Sequence, residues 1–252
     1  MNLADFVRRH DPDRFLTALF APPDRRDALF TLYAFNHELA RAREVVSEPP
    51  LALIRLQWWR EVVEGAPRRH DVADPLRAAI AGGALARDDL LAMIDAREAE
   101  VEPVFETLAD WRAYLLGSAG GVAVAAARLL GAAEPAMLRP LGAAYGVAGL
   151  LRSVPIHARQ GRCLLPADTL AAHGTSAEAV IAGRAVPPAA LRRLADAGLA
   201  LLRRARLPRH VVAAALPAVL ARRDLRRLPA PPAERGLGDR LAVVAAGMTG
   251  RI

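Results

Sequence analysis

The chain has 252 residues, of which 53% are hydrophobic and 24% charged. This composition is too apolar for a disordered chain, and the length suits one large domain or two small ones. The longest uncharged run spans residues 113–127, which is shorter than the roughly 20 residues that a membrane-spanning helix needs. A single cysteine, Cys163, excludes a disulfide within the chain and a cysteine-based metal cluster.

The positive charge is concentrated in one segment. All 34 basic residues are arginines, and the segment 184–227 carries eleven of them against two aspartates. We name Arg192, Arg193, Arg203 and Arg204 as candidate contacts to an anionic membrane surface. The alternative is that these arginines lie on solvated helix faces. Nucleic acid is not an expected partner, because no Trp or Tyr is interleaved with the arginines.

The spacing of apolar residues predicts an all-α protein of eight to ten helices. In chain order the predicted helices cover residues 24–43, 49–64, 75–81, 88–102, 111–130 and 140–156, then a short helix after the capping-box pattern at 175–178, then 187–207, 210–227 and a weak last helix near Leu241. We divide the chain into a helical domain, residues 1–228, and a proline-containing linker with the weak helix, residues 229–252.

Two predicted helices are rich in small residues, over 117–127 and 142–149. Such faces let helix backbones approach closely in a central bundle. They can also line a cavity for a long apolar ligand.

The acidic residues offer one candidate metal site. Asp95, Glu98 and Glu102 share a helix face, and Glu100 lies off that face. The pattern is typical of a solvated face, and metal binding is the alternative. The sequence has no glycine-rich phosphate loop and no zinc-ligand spacing.

Five segments resemble a known family in their order and spacing. They are residues 29–49 (LFTLYAFNHELARAREVVSEP), 53–64, 94–101, 114–131 and 143–166. Together they are similar to squalene and phytoene synthases. The resemblance implies an isoprenoid-synthase-type helical bundle around a central cavity. It also implies head-to-head joining of two allylic diphosphates, with magnesium held by two Asp-x-x-x-Asp motifs.

The chain departs from this family pattern at the metal-binding positions. The first motif corresponds to Ala40 and Glu44, and the second corresponds to Ser153 and His157. Two amide positions before the second motif are Gly146 and Gly149. The resemblance therefore implies a degraded site with no catalytic residue, no metal and no cofactor. The polar residues left as candidate diphosphate or ligand contacts are Tyr33, His37, Arg152 and Arg162.

The departures themselves resemble a non-catalytic branch of the family. The sequence LRSVPIH at 151–157, followed by Leu-Leu-Pro at 164–166, is the most specific part of this likeness. The eukaryotic member of the branch is a mitochondrial assembly factor for respiratory complex I. The likeness implies partners among complex I subunits or assembly factors, an isoprenoid lipid, or an anionic membrane. The alternative function is an active prenyltransferase that condenses two isoprenyl diphosphates and uses magnesium.

The N-terminal residues are charged and lack the apolar core of a signal peptide. We therefore expect a bacterial, cytoplasmic protein. A peripheral position on the inner face of the membrane is compatible with the basic segment.

Overall fold

The fold is all-α, as the sequence predicts. The computed structural model describes residues 2–46, 48–101, 105–229 and 235–252. Within these ranges it contains two short 3₁₀ turns, two isolated bridges, and fourteen α-helices. The helices are α1 Leu3–His10, α2 Pro12–Ala18, α3 Pro23–Glu44, α4 Pro49–Glu64, α5 Ala73–Ala81, α6 Arg87–Glu98, α7 Leu108–Gly117, α8 Ala119–Leu129, α9 Arg139–Arg159, α10 Ala167–Ala172, α11 Ala177–Ile181, α12 Pro188–Leu199, α13 Pro217–Arg227 and α14 Leu237–Thr249.

The helix count exceeds the predicted eight to ten for two reasons. First, α1, α2 and α10 were not predicted. Second, the helix predicted over 111–130 is two helices that meet at Ser118. The Ser118 hydroxyl donates to the Tyr114 carbonyl at 2.7 Å, and the Ser118 backbone leaves the helical region at ψ −85°. A serine side chain that competes for backbone groups favours such a break.

The helix predicted over 187–207 is shorter than expected. It ends at Leu199, and the arginine-bearing residues that follow are paired with the C-terminus instead. The Leu207 amide donates to the Gly250 carbonyl at 2.8 Å, and Ala205 exchanges hydrogen bonds with Ile252. Tertiary hydrogen bonds therefore override the helical preference of this segment.

The small-residue helices α8 and α9 pack directly against each other. A Cβ atom on Gly142 would lie 2.5 Å from both the Ala119 oxygen and the Ala123 Cβ. The space enclosed there, between α3, α8, α9 and α13, is about 10 Å³. The small residues at this contact therefore serve close packing. They do not line a ligand-sized cavity there.

Residues 235–252 lie against the rest of the bundle. Val243, Ala246 and Ile252 are buried in the core that α3 also contributes to. A Cβ on Gly247 would lie 2.4 Å from the Phe20 ring. None of the described helices is both long and apolar enough to cross a membrane.

Candidate functional site

The ends of α3 and α9 carry the positions that the resemblance to the family assigns to the two metal-binding motifs. Glu44 is the last residue of α3, and His157 lies in the last turn of α9. Both side chains interact electrostatically with Arg162 and Glu100. Ala40 and Ser153, one turn earlier, are half-buried. The two motif ends therefore share charged neighbours.

Those neighbours form a network that we call the buried ion cluster: Asn36, Arg97, Glu100, Tyr114 and Arg162. The Glu100 carboxylate accepts from Arg97 and from the Tyr114 hydroxyl, and it faces the Arg162 Nη2 atom at 3.4 Å. Arg97 also donates to the Asn36 Oδ1 atom at 3.2 Å. Glu100 is only 5% exposed. The guanidinium groups of Arg97 and Arg162 therefore already neutralise the Glu100 carboxylate, which lies beside the two motif ends.

The ionisation of these groups follows from their surroundings. Burial alone would raise the pKa of Glu100, but Arg97, Tyr114 and Arg162 together lower it. Desolvation raises the pKa of Glu44, against the opposing effect of Arg162. Burial and Arg162 lower the pKa of His157, which favours its neutral form. A neutral imidazole and one carboxylate are a poor ligand set for Mg²⁺, which prefers several oxygen ligands.

Two of the three glycines of α9, Gly146 and Gly149, stand where the family pattern has amide side chains, and the two positions differ in the space around them. A Cβ on Gly146 would lie 2.7 Å from the Ala119 Cβ and 2.8 Å from a Leu115 methyl group. Gly149 has no such neighbour within 4 Å. The contact of α9 with α7 and α8 therefore closes one of the two positions to any larger side chain.

Arg152 belongs to a second network, the N-terminal ion cluster: Asp13, Tyr145, Arg152, Asp224 and Arg235. Arg235 donates to Asp13 at 2.7 Å and to Asp224 at 2.8 Å. Arg152 lies 3.8 Å from Asp13 and 3.4 Å from Asp224. Burial lowers the pKa of Arg235, but its bonds to the two aspartates outweigh burial and raise it. Asp13, Arg152 and Arg235 border a cavity of about 640 Å³.

The other two candidate ligand contacts, Tyr33 and His37, pack against Arg14 and His10. Tyr33 lies under the guanidinium of Arg14, 5.5 Å from its ring centroid, and Arg14 is in turn paired with Asp11 at 3.0 Å. Burial raises the pKa of Tyr33. The His37 ring packs on His10, with centroids 4.7 Å apart.

The four candidate ligand contacts have different immediate partners, but two of those partners connect to the N-terminal ion cluster. Arg14 also lies over the Tyr145 ring, 5.0 Å from its centroid, and His10 lines the cavity that Arg152 borders. Tyr33 contacts Arg14, His37 contacts His10, Arg152 belongs to the N-terminal ion cluster and Arg162 to the buried ion cluster.

The acidic stripe is engaged by an arginine. Arg60 donates to Asp95 at 2.7 Å and to Glu98 at 2.9 Å. Glu102 lies outside the described residues. The described residues contain no group of three or more His, Cys, Asp or Glu side chains able to hold a metal ion.

The four arginines named for an anionic surface, Arg192, Arg193, Arg203 and Arg204, are all exposed. Their positions differ from the prediction in one respect, because Arg203 and Arg204 follow α12 instead of lying on it.

Several residues of the two clusters were missed in the sequence. Asp13, Asp224 and Arg235 lie outside the five matched segments, and Arg97 and Tyr114 lie inside them but had no role assigned. One signal was present for Glu100, which lies off the solvated face of its segment. A carboxylate on the opposite side of an amphipathic helix is a candidate for burial and therefore for a buried cationic partner.

Comparisons with known proteins agree with this architecture. The family model described as squalene/phytoene synthase matches residues 7–245. The human protein "NADH dehydrogenase (ubiquinone) complex I, assembly factor 6" is 28% identical over 182 residues, which are 69% of this chain and 55% of that protein. The Drosophila melanogaster homologue of that factor is 31% identical over 195 residues, 69% of this chain and 56% of its own. The chain thus spans about half the length of these relatives.

An enzyme is also among the relatives. The presqualene diphosphate synthase of Sinorhizobium fredii is 28% identical over 185 residues, 67% of this chain and 64% of that enzyme. Among solved structures, a dehydrosqualene synthase in complex with ligand has a TM-score of 0.77 at 15% identity, covering 98% of this chain and 94% of that one. The squalene synthase HpnC of Alicyclobacillus acidocaldarius has a TM-score of 0.66 at 19% identity, covering 98% and 92%. At these identities the structural likeness concerns the fold alone.

Proposed function

Because the chain belongs to the squalene/phytoene synthase family, we propose that it is a member without prenyl-transfer activity that assists the assembly of respiratory complex I by binding. The observation that carries this proposal is the buried ion cluster. In this cluster Arg97 and Arg162 form ion pairs with Glu100. The cluster lies beside Glu44 and His157. At these positions an active family member would need carboxylates that bind metal ions. The relatives named as complex I assembly factors support the choice of process.

The packing of α9 supports the loss of catalysis independently. The family pattern places an amide side chain at position 146, and Gly146 has no room for one between Ala119 and Leu115. Restoring that amide would require α8 and α9 to separate, which a close-packed interior resists.

The N-terminal ion cluster supports the same conclusion. A diphosphate is held by cationic groups that have no competing anions. Arg152 and Arg235 are instead shared between Asp13 and Asp224. A diphosphate in the adjoining cavity would have to displace these carboxylates.

The partners follow from the proposed role. They are complex I subunits or other assembly factors, together with an isoprenoid lipid or the anionic membrane surface near which such assembly takes place. The exposed Arg192, Arg193, Arg203 and Arg204 would supply the electrostatic contact, about 1 kcal/mol for each arginine near the surface. In this role the protein needs no cofactor and works in the cytoplasm, peripherally at the membrane.

The alternative is an active prenyltransferase that joins two isoprenyl diphosphates. The presqualene diphosphate synthase relative favours it. Glu44 with Asp95 or Glu98 would then bind magnesium, while Arg152 and Arg162 hold diphosphate. Asp95 and Glu98 would first have to leave Arg60.

The decisive test is an incubation of the purified protein with farnesyl and geranylgeranyl diphosphates, Mg²⁺ and NADPH. We expect no pyrophosphate release and no extractable lipid product above a boiled control, while an active synthase in parallel gives both. Turnover would overturn the proposal in favour of the prenyltransferase.

The assembly role has its own test. Deletion of the gene in its host is expected to reduce intact complex I on native gels and to leave sub-complexes. Normal complex I in the deletion strain would contradict the assembly role.

A further inference from the structure

A pocket of about 500 Å³ lies on the outer side of α9. Arg152 is the one residue of the two ion clusters that lines it. Its volume is within the usual range of small-molecule sites, about 300–1,000 Å³. The pocket lies between the C-terminal half of α9, the end of α11, the start of α12 and residues 228–229. It does not adjoin Ala40, Glu44 or the interior between α3 and α8.

The walls of this outer pocket are apolar. Leu151, Val154 and Ala158 share one face of α9, at spacings of three and four residues, and turn it toward the pocket. Val180 and Leu191 line the opposite side. Ile181, which also lines the pocket, is 37% exposed. An apolar opening of this kind favours a ligand with an apolar chain.

The charges at the rim all have one sign. Arg159 and Arg184 line the pocket and are exposed, and no aspartate or glutamate belongs to its lining. In the described part of the chain neither arginine has an ion pair. Arg152 lines the inner wall, but Asp13 and Asp224 already neutralise it. Two unpaired guanidinium groups beside an apolar pocket are complementary to an anionic headgroup.

We propose that the outer pocket binds a single-chain amphiphile, with its apolar chain between α9, α11 and α12 and its phosphate or carboxylate headgroup between Arg159 and Arg184. This site is separate from the degraded motifs, and it does not depend on whether the protein assists complex I assembly. The occupant is a small amphiphile, because the pocket lies between four chain segments and has the volume of a small-molecule site.

The test uses titration calorimetry with dodecyl phosphate and with dodecanoate, both below their micelle-forming concentrations. We expect at least one of them to bind at one site per chain, and comparison of the two identifies the preferred headgroup. Dodecanol and inorganic phosphate are expected to bind at least tenfold more weakly, because dodecanol lacks the anionic headgroup and inorganic phosphate lacks the apolar chain.

Three variants locate the binding. Arg159→Gln with Arg184→Gln should weaken it about tenfold or more, the effect of losing about 1.4 kcal/mol of charge-assisted hydrogen bonding. Ala158→Phe should block the apolar pocket without changing charge. The matched control is Arg112→Gln with Arg209→Gln, which removes two exposed arginines outside the pocket and should bind as the wild type does.

The proposal fails if neither amphiphile binds, or if binding appears only with micelles. It also fails if Ala158→Phe or the Arg159/Arg184 double variant binds like the wild type, or if dodecanol binds as tightly as the anionic probes. Binding of an acidic amphipathic peptide in place of both amphiphiles would assign the pocket to a protein partner and overturn it as well. Circular dichroism of each variant verifies that the helices are intact.

Discussion

At the scale of single residues, the charges that decide the chemistry are paired internally. Glu100 and Asp224 are among the most buried ionisable groups of the chain, and each faces two arginines. A buried ion pair adds little net stability, yet removing one partner leaves an uncompensated charge in a poorly solvated place. Substitution of the acid is therefore more damaging than its contacts alone would indicate.

We predict that Glu100→Gln destabilises the protein by about 3 kcal/mol, because Arg97 and Arg162 would lose the carboxylate that both contact and would keep only the more distant Glu44. The matched control is Glu98→Gln, two residues away, whose exposed ion pair with Arg60 should contribute less than about 1 kcal/mol. Urea unfolding of the two variants measures the difference. Equal losses would show that Glu100 has no special role in the fold.

His37 makes stability depend on pH. Burial, with His10 and Arg41 nearby, lowers its pKa to about 4, whereas an unfolded histidine titrates near 6.5. Between these values the unfolded chain binds a proton that the folded chain rejects, so stability falls as pH falls from about 6.5 to about 4.

We expect His37 to remove about 1–2 kcal/mol of stability between pH 7 and pH 5, the lower value applying because solvent reaches part of the imidazole and weakens the effect. His37→Phe keeps an aromatic ring against Phe6 and His10 and should lose less stability over that interval. Urea midpoints at both pH values test this, with His210→Phe as the control for exchanging an exposed imidazole. An unchanged pH dependence in His37→Phe would contradict the assignment.

At the scale of helices, the contact of α8 with α9 sets the architecture of the interior. The glycines of α9 are not equivalent, because Gly142 meets the backbone of α8 while Gly149 meets nothing within 4 Å. The sequence shows both only as glycines in a helix. They differ in the structure because Gly142 lies on the side of α9 that packs against α8, whereas Gly149 lies where no other described helix has an atom within 4 Å of a Cβ position.

Replacing the two glycines by alanine should change stability in opposite directions. Gly142→Ala would force a methyl group to 2.5 Å from α8, and overpacking of this kind costs about 1–3 kcal/mol. Gly149→Ala should stabilise by about 0.5–1 kcal/mol through helix propensity. Thermal unfolding of both variants is the measurement, and a destabilised Gly149→Ala would mean that this position is not open.

At the scale of the whole molecule, distant parts of the chain meet in the N-terminal ion cluster. Arg235, just before α14, bonds to Asp13 in α2 and to Asp224 in α13. The predicted boundary at residue 228 therefore falls between elements that share hydrogen bonds. Residues 235–252 also contribute Val243 and Ile252 to the core.

We predict that Arg235→Met costs about 3 kcal/mol of stability, since Asp13 and Asp224 would then share only the longer contacts of Arg152. Arg240→Met removes an exposed arginine of the same C-terminal segment and should leave stability within about 0.5 kcal/mol of the wild type. Chemical denaturation compares them. A neutral Arg235→Met would mean that the C-terminal helix is held by its apolar contacts alone.

The sequence by itself determined the helical class, the start and end of α3 and α4, and the family. These depend on local spacing, on prolines such as Pro49 and on motif order, all of which are read along the chain. Only the tertiary structure decided that Arg97, Glu100 and Arg162 meet, that Gly146 has no space beside it, and that the segment after Leu199 pairs with the C-terminus. The contact of Arg162 with Glu100, the packing beside Gly146 and the pairing with the C-terminus join residues far apart in the chain, and such contacts leave no periodicity in the sequence.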